Sequence, residues 1–188
     1  GEVDGYIILG DVVNYGPWSN DCVKKLETLP NCKKIIGNHE EYFINGNINC
    51  GNNLATNFFN HCYSSFTEFE TIKKYVTKIN FENFTCVHTI NDQYIFDDTI
   101  ISIDNDYIIG HSQRQFKNEK NKYLILNPGS VGQNREYINK IEFMIFNTDS
   151  KGIEFFSKSY DVNIVITEMI KLNYPKICID YYKNKPVL

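Results

Sequence analysis

The sequence predicts an α/β protein in which mixed sheets are flanked by helices. Three observations support this prediction. Short apolar runs rich in β-branched residues end at Gly or Asn, which is typical of buried strands. The first two of these runs are each followed by a helical pattern, whereas the second half of the chain consists mainly of strand patterns. This order is unlike that of a purely parallel fold and favours two mixed sheets that face each other, with helices outside.

The first part of the chain alternates strand and helix patterns. A strand predicted at 6–9 is followed by a loop and then by a helix from Ser19, a residue type that caps helices. A second strand is predicted at 33–36. Helical patterns follow from 39 to 79, with an interruption rich in Asn and Gly at 45–53.

The second half is predicted to be rich in strands. Apolar and alternating patterns indicate strands at 84–87, 94–96, 99–103, 107–110, 123–126, 140–147 and 152–158. A polar turn typical of a hairpin joins the last two. A final helix is predicted at 162–172, and no linker or repeat interrupts the chain. We therefore expect residues 1–188 to form a single domain.

The composition limits the possible functions. Hydrophobic residues make up 42% of the chain and aromatic residues 14%, which favours a folded core over disorder. The net charge of −4 disfavours an extended nucleic-acid surface. No apolar stretch approaches the ~18 residues that indicate a membrane span. The six cysteines form no Cys-x-x-Cys pair, so zinc-ribbon and thioredoxin-like proteins are excluded, and we expect free thiols in the cytoplasm.

Four of the predicted strands end at a residue that can bind a metal. Asp11 and Asn38 follow the first two strand patterns, and His88 and His111 follow two later ones. In open α/β sheets the ligand crevice lies at the carboxyl ends of the strands, so these side chains can converge on one divalent cation. The sequence therefore indicates a metal-dependent hydrolase or a degenerate relative of one.

Each of these residues also has an ordinary structural explanation when it is taken alone. A Gly-Asp pair after a strand is often a turn or a helix cap, and Asn38 fits a left-handed turn. A single histidine beside a strand is often a hydrogen-bonded structural residue. Arg135 is a candidate contact for an anionic substrate, although an exposed arginine needs no such role.

The candidate residues lie in motifs that occur in a fixed order along the chain. These motifs are Gly10-Asp11, Gly37-Asn38-His39-Glu40, Val87-His88, Gly110-His111-Ser112 and the segment 127–133, Asn-Pro-Gly-Ser-Val-Gly-Gln. Together they resemble the calcineurin-like metallophosphoesterases. Segment 127–133 and the loop 11–17 resemble the small bacterial and archaeal phosphodiesterase branch of that family. The resemblance reaches about Lys185 and implies a four-layer α-β-β-α sandwich with a binuclear metal centre between its sheets.

The resemblance also implies a role for each site residue. Asp11 would bridge two metals, while Asn38, His88 and His111 would complete the second metal site. His39, next to Asn38, is the candidate catalytic residue, which would protonate the leaving group or stabilise the charge that develops on it. Two cations about 3.5–4 Å apart neutralise a phosphate ester and hold the hydroxide that attacks it. Manganese is the expected metal, with iron, nickel, cobalt and zinc as alternatives. The implied substrate is a small phosphate ester, with no nucleic-acid or membrane partner.

Two departures from the family pattern concern the first metal site. The family has an Asp-x-His motif on a strand upstream of the Gly-Asp strand, and this sequence contains no such pair. Gln113 stands where the second histidine of Gly-His-x-His is usual, and an amide is a poorer ligand than imidazole for a late transition metal. We keep Gln113 as a further candidate ligand. The expectation is an N-terminally truncated chain that binds one metal where a full-length active form binds two, with impaired hydrolysis.

Three hypotheses remain open from the sequence. The first is a phosphodiesterase whose missing upstream segment supplies Asp and His. The second is a degenerate member that acts as an interaction scaffold, as the retromer subunit with this fold does. The third is a relative of the diadenosine-polyphosphate hydrolases or protein phosphatases, which segment 127–133 disfavours. The enzyme is preferred because a scaffold would not need the whole set of site residues. The sequence predicts neither the natural substrate, nor the substrate-binding residues, nor the oligomeric state.

Overall fold

The structure is a computed structural model that describes residues 3–48, 51–120 and 122–188. The chain divides into two compact units. The first unit comprises residues 1–76 and 161–185, and the second comprises residues 77–160 and 186–188.

The described residues of the first unit form two strands and six helices. They are β1 (Tyr6–Ile8), α1 (Ser19–Glu27), β2 (Cys32–Lys34), α2 (Asn38–Asn45), α3 (Asn53–Ser64), α4 (Phe69–Ile72), α5 (Asn163–Lys171) and α6 (Lys176–Asn184). Strands β1 and β2 pair in parallel with Tyr6 opposite Cys32. Both therefore end at the same edge, where the loop after β1 and the start of α2 emerge.

Local signals in the sequence explain where the helices of the first unit begin and end. The Asn52 side chain caps α3 by accepting a hydrogen bond from the backbone N–H of Ala55 at 3.2 Å. Helix α2 ends at Gly46, which adopts the left-handed conformation typical of a helix C-terminus. The predicted Ser19 cap is wrong. Ser19 is the first helical residue, and its hydroxyl instead accepts the backbone N–H of Asn14 at 3.0 Å.

Packing in the first unit orders the loop that follows β1. The core is aromatic: Phe43 is fully buried and makes edge-to-face contacts with Phe59 and Phe66. The Tyr174 hydroxyl donates to the Gly16 carbonyl at 3.0 Å, and the Tyr182 hydroxyl donates to the Tyr15 carbonyl at 3.1 Å. These bonds fix the loop backbone close to the predicted metal ligand of this unit.

The second unit is built from strands. They are β3 (Lys78–Phe81), β4 (Phe84–Val87), β5 (Asp106–Ile109), β6 (Phe116–Lys120), β7 (Tyr123–Asn127), β8 (Lys140–Phe146) and β9 (Ile153–Ser159). The first five form a mixed sheet in the order β3-β4-β5-β7-β6, and β8 and β9 form an antiparallel pair. Strands β4, β5 and β7 are parallel neighbours, so their carboxyl ends lie at one edge of the sheet. The mixed α/β class predicted from the sequence is confirmed.

Two predicted strands are wrong. Segments 94–96 and 99–103 lie in a long irregular connection between β4 and β5, with a turn at residues 97 and 98. Ile95 and Ile103 belong to the buried core of the second unit, whereas Ile100 is 99% exposed. Ile95 and Ile103 therefore anchor a loop to the core and do not belong to hydrogen-bonded strands.

Other boundaries also differ from the prediction. The helical pattern does not extend to residue 79, because Val76 pairs with Ile35 and the next residues enter β3. Strand β6 and helix α6 were not predicted. The described cysteines, which are Cys22, Cys32, Cys62, Cys86 and Cys178, are free thiols, and Cys50 lies outside the described residues. Within the described ranges, no helix has the length and apolarity needed to cross a bilayer.

Candidate metal centre

Asp11 occupies a constrained position directly after β1. Its φ of 57° lies in the left-handed region, which residues with a side chain seldom adopt. Gly37 approaches it so closely that an added Cβ would lie 2.5 Å from the Asp11 amide nitrogen and from Oδ1. Asp11 Oδ1 also accepts the backbone N–H of His39 at 3.3 Å. The turn after β1 and the start of α2 therefore pack against each other around the Asp11 carboxylate.

Glu40 holds this arrangement together from inside the protein. Its side chain is fully buried and accepts four backbone N–H groups, two on each oxygen. Oε2 accepts from Asp11 at 2.9 Å and Gly37 at 2.8 Å, and Oε1 accepts from Val12 at 2.7 Å and Val13 at 3.1 Å. Burial and, second, the Asp11 carboxylate raise the pKa of Glu40, while the N–H donors oppose that rise.

His39 is held in a defined orientation at the second position of α2. The Asn14 amide nitrogen lies 3.0 Å from His39 Nδ1, and the Asn14 side chain is buried. Tyr15 and Tyr42 contact the imidazole at ring-centroid distances of 5.4 and 5.8 Å, both nearly perpendicular to it. When the amide nitrogen donates, Nδ1 accepts and the proton of neutral His39 resides on Nε2. Asn38, the first residue of α2, is half-buried beside it.

In the second unit, the structure brings His88 and His111 together. They follow β4 and β5, whose terminal residues Val87 and Ile109 are direct neighbours in the parallel sheet. His88 Nε2 lies 3.0 Å from His111 Nδ1. Two imidazole nitrogens bound cis to one transition metal at about 2.1 Å are about 3.0 to 3.4 Å apart. The two nitrogens are within hydrogen-bond distance of each other, and the same separation is compatible with two ligands of one transition metal.

Asn127 fixes the turn that carries His111. The Asn127 amide nitrogen donates to the Gly110 carbonyl at 2.7 Å and to the buried Ser112 hydroxyl at 2.9 Å. Its carbonyl oxygen accepts the Gly129 N–H at 2.9 Å. Gln113 follows this turn, half-buried and left-handed like His111. Its role as a ligand stays a prediction.

An aromatic residue that the sequence did not single out packs on His111. The Tyr94 ring stacks on the imidazole with centroids 4.1 Å apart and planes 26° apart. The Arg135 guanidinium lies 4.7 Å from the centre of the Tyr94 ring. Tyr94 lay inside a wrongly predicted strand, so no local signal pointed to it. Glu40, by contrast, stands three residues after the helix N-cap Gly37, the spacing of a capping box.

Comparisons with known proteins agree with this chemistry. The sequence matches the family described as calcineurin-like phosphoesterase over residues 1–167. It is 30% identical over 207 aligned positions to the uncharacterized protein MJ0912 of Methanocaldococcus jannaschii, with 89% of this chain and 81% of that protein covered.

Two solved structures share the fold. The metallophosphoesterase from Sphaerobacter thermophilus aligns with a TM-score of 0.79 and 20% identity, covering 97% of this chain and 89% of its own. The hypothetical protein PH1004 from Pyrococcus horikoshii OT3 aligns with a TM-score of 0.81 and 14% identity. The alignment covers 96% of this chain and 85% of PH1004. The chain belongs to the calcineurin-like phosphoesterases, a family of metal-dependent hydrolases of phosphate esters.

Proposed function

We propose that the chain is a phosphodiesterase that hydrolyses small phosphate diesters in the cytoplasm with a divalent metal, manganese being the expected one. The observation that carries this proposal is the His88–His111 pair, whose facing nitrogens are 3.0 Å apart. This separation is that of a hydrogen bond between the two imidazoles, and it is also the separation of two nitrogen ligands on one transition metal. The match of segment 127–133 to the small phosphodiesterase branch supports a diester as the substrate.

The proposed ligands are Asp11, Asn38, His88 and His111, with Gln113 as a further candidate. Asp11 is proposed because its backbone N–H is held by Glu40 and its Oδ1 accepts the backbone N–H of His39, which fix the carboxylate at the end of β1. The bound metal supplies neutralisation of the phosphate charge and activation of water. The family match runs without a break from residue 1 to 167, which supports treating the 188 residues as one catalytic domain.

His39 is proposed as the general acid. The Asn14 amide lies 3.0 Å from His39 Nδ1 and holds the ring in place. In its protonated form the imidazolium would give one proton to the leaving oxygen and become a neutral imidazole. Replacing His39 by Ala should leave metal content unchanged and lower kcat by about 10²-fold or more for alkyl diesters, whose leaving groups are poor. The effect should be smaller for bis(p-nitrophenyl) phosphate, because p-nitrophenolate departs without a proton. An equal fall for both substrates, or a loss of metal, would contradict this role.

We also propose that the 188 residues bind one metal tightly and hydrolyse diesters slowly. They contain no Asp-x-His pair, and Gln113 offers a neutral amide where imidazole would bind more strongly. With a single metal, less of the charge on the phosphate is neutralised, so binuclear chemistry should be impaired.

Metal analysis combined with a diesterase assay tests these proposals. The protein loaded with Mn²⁺ and then desalted should retain about one metal per chain and hydrolyse bis(p-nitrophenyl) phosphate slowly. His88→Ala should lose both metal and activity. His61→Ala is the matched control because His61 lies on α3 and packs against Tyr174. Full metal retention in His88→Ala would refute the proposed metal site, and a folded wild-type chain that binds no metal would favour the scaffold.

A further inference from the structure

Arg135 is held near His111 by an aromatic ring. The Tyr94 ring contacts both residues, stacking on the imidazole at 4.1 Å and lying under the guanidinium at 4.7 Å. Both distances are measured to the same ring, so the guanidinium cannot be farther from the imidazole than the sum of the two. Arg135 is thus a cation placed beside the histidine pair of the second unit.

Within the described part of the chain, the Arg135 guanidinium donates no hydrogen bond to another residue. Among the residues that the structure describes, no carboxylate pairs with Arg135, and its one recorded interaction is with the Tyr94 ring. The side chain is exposed. A guanidinium presents its N–H groups as a planar fork that matches two oxygens of a phosphate. Stacking on an aromatic ring occupies the face of this fork and leaves its edge available.

The backbone around Arg135 is anchored on both sides. The Ser130 hydroxyl accepts the N–H of Gln133 at 3.0 Å. Asn134, 2% exposed, donates to the buried carboxylate of Glu142 at 2.8 Å and accepts the N–H of Glu136 at 2.9 Å. The guanidinium is therefore presented from a fixed segment, so less conformational entropy is lost when it binds a ligand.

We propose that Arg135, positioned by Tyr94, binds the non-bridging phosphate oxygens of the substrate next to His88 and His111. It is the specificity residue that selects anionic phosphate esters over neutral esters, and Tyr94 is its positioning residue. The inference deepens the proposed phosphodiesterase function and rests on it for the identity of the ligand.

Arg114 provides a matched control for the Arg135 variants. It has two arginines, and the other, Arg114, is also exposed and also lies over an aromatic ring, with its guanidinium 6.0 Å from the centre of Phe96. Arg114 lines a polar cavity of about 200 Å³ together with Asp97 and Glu136. Removing Arg114 changes the net charge by the same amount without changing the proposed phosphate contact.

The test measures binding of inorganic phosphate to the Mn²⁺-loaded protein by calorimetry, together with KM and kcat for bis(p-nitrophenyl) phosphate. Arg135→Ala should weaken phosphate binding and raise KM about ten-fold or more, with metal content unchanged and kcat changed less than about three-fold. Arg135→Lys should restore part of the loss, because the charge returns without the planar fork. Arg114→Ala should behave as wild type.

Two Tyr94 variants test positioning. Tyr94→Phe keeps the ring and should bind phosphate as wild type does, whereas Tyr94→Ala should weaken binding. Adding Tyr94→Ala to Arg135→Ala should weaken it no further, since both changes remove one interaction. Equal phosphate affinity in wild type, Arg135→Ala and Arg114→Ala would overturn the proposal, as would the absence of saturable phosphate binding in wild type. Phosphate binding that depends on Arg135 without any hydrolysis would instead refute the proposed function alone.

Discussion

Glu40→Gln is the sharpest test of what holds Asp11 in place. The carboxylate of Glu40 is fully buried and accepts two backbone N–H groups on each oxygen. Glutamine has nearly the same shape but carries an NH₂ group in place of one oxygen. Whichever way the amide is placed, that NH₂ faces two N–H donors, either those of Val12 and Val13 or those of Asp11 and Gly37.

The expected loss follows from these contacts. Two hydrogen bonds disappear and two buried N–H groups are left without an acceptor, at about 1–3 kcal/mol each. Removal of a buried charge beside the Asp11 carboxylate offsets part of this loss. We therefore expect Glu40→Gln to lower the free energy of unfolding by about 2–4 kcal/mol. Because Asp11 would lose its fixed conformation, metal affinity should fall as well.

Urea unfolding of the metal-free protein measures the change in stability, and metal analysis measures the change in affinity. Glu41→Gln is the control, since Glu41 is the next residue and is exposed, and surface changes of this kind stay within about 0.5 kcal/mol. If Glu40→Gln were as stable as Glu41→Gln and bound metal normally, the four N–H contacts would not be what maintains the turn after β1.

Two further predictions concern packing and pH. Gly37→Ala places a Cβ 2.5 Å from Asp11 Oδ1, so it should lower both Tm and metal content. A Cβ at Gly132 meets nothing within 4 Å, so Gly132→Ala should leave both unchanged. Burial raises the pKa of Cys62 from 9.0 to about 11, so the folded state favours the neutral thiol. The neutral thiol contributes about 2–3 kcal/mol to the free energy of unfolding. This contribution is complete below pH 9 and is lost as the pH rises towards 11. Urea unfolding of wild type and Cys62→Ala at several alkaline pH values checks this, and an identical pH slope in both would contradict it.

The sequence predicted His88 and His111 as candidate ligands because their signal is local. An apolar run followed by Gly or His marks the end of a buried strand, and both His88 and His111 follow such runs. Their 3.0 Å approach depends on the register that places Val87 opposite Ile109. The register depends on pairing between strands that are far apart in the sequence. It therefore cannot be predicted from a short segment alone. The residue types could therefore be predicted, but their contact could not.

The connection between β4 and β5 shows where a pattern argument fails. Ile95 and Ile103 are buried, as strand residues would be, but they anchor a loop to the core of the second unit. Hydrophobic periodicity reports burial and does not report hydrogen bonding. Tyr94 lies next to the buried Ile95 in the same connection, and it stacks on His111. Strand β6, with the sequence Phe-Lys-Asn-Glu-Lys, was missed because an edge strand can be largely polar.

The two units use the same solution to one physical problem. Asp11 and His111 both adopt the left-handed conformation at the end of a strand, with φ of 57° in each case. Such strain persists only when the surroundings impose it. In the first unit the Glu40 carboxylate imposes it through backbone N–H groups, and in the second the Asn127 amide does so through Gly110 and Ser112. Because these contacts form on folding, the candidate ligands Asp11 and His111 lose conformational freedom before a metal would bind. Metal binding then need not supply that ordering free energy, which favours tight binding by few ligands.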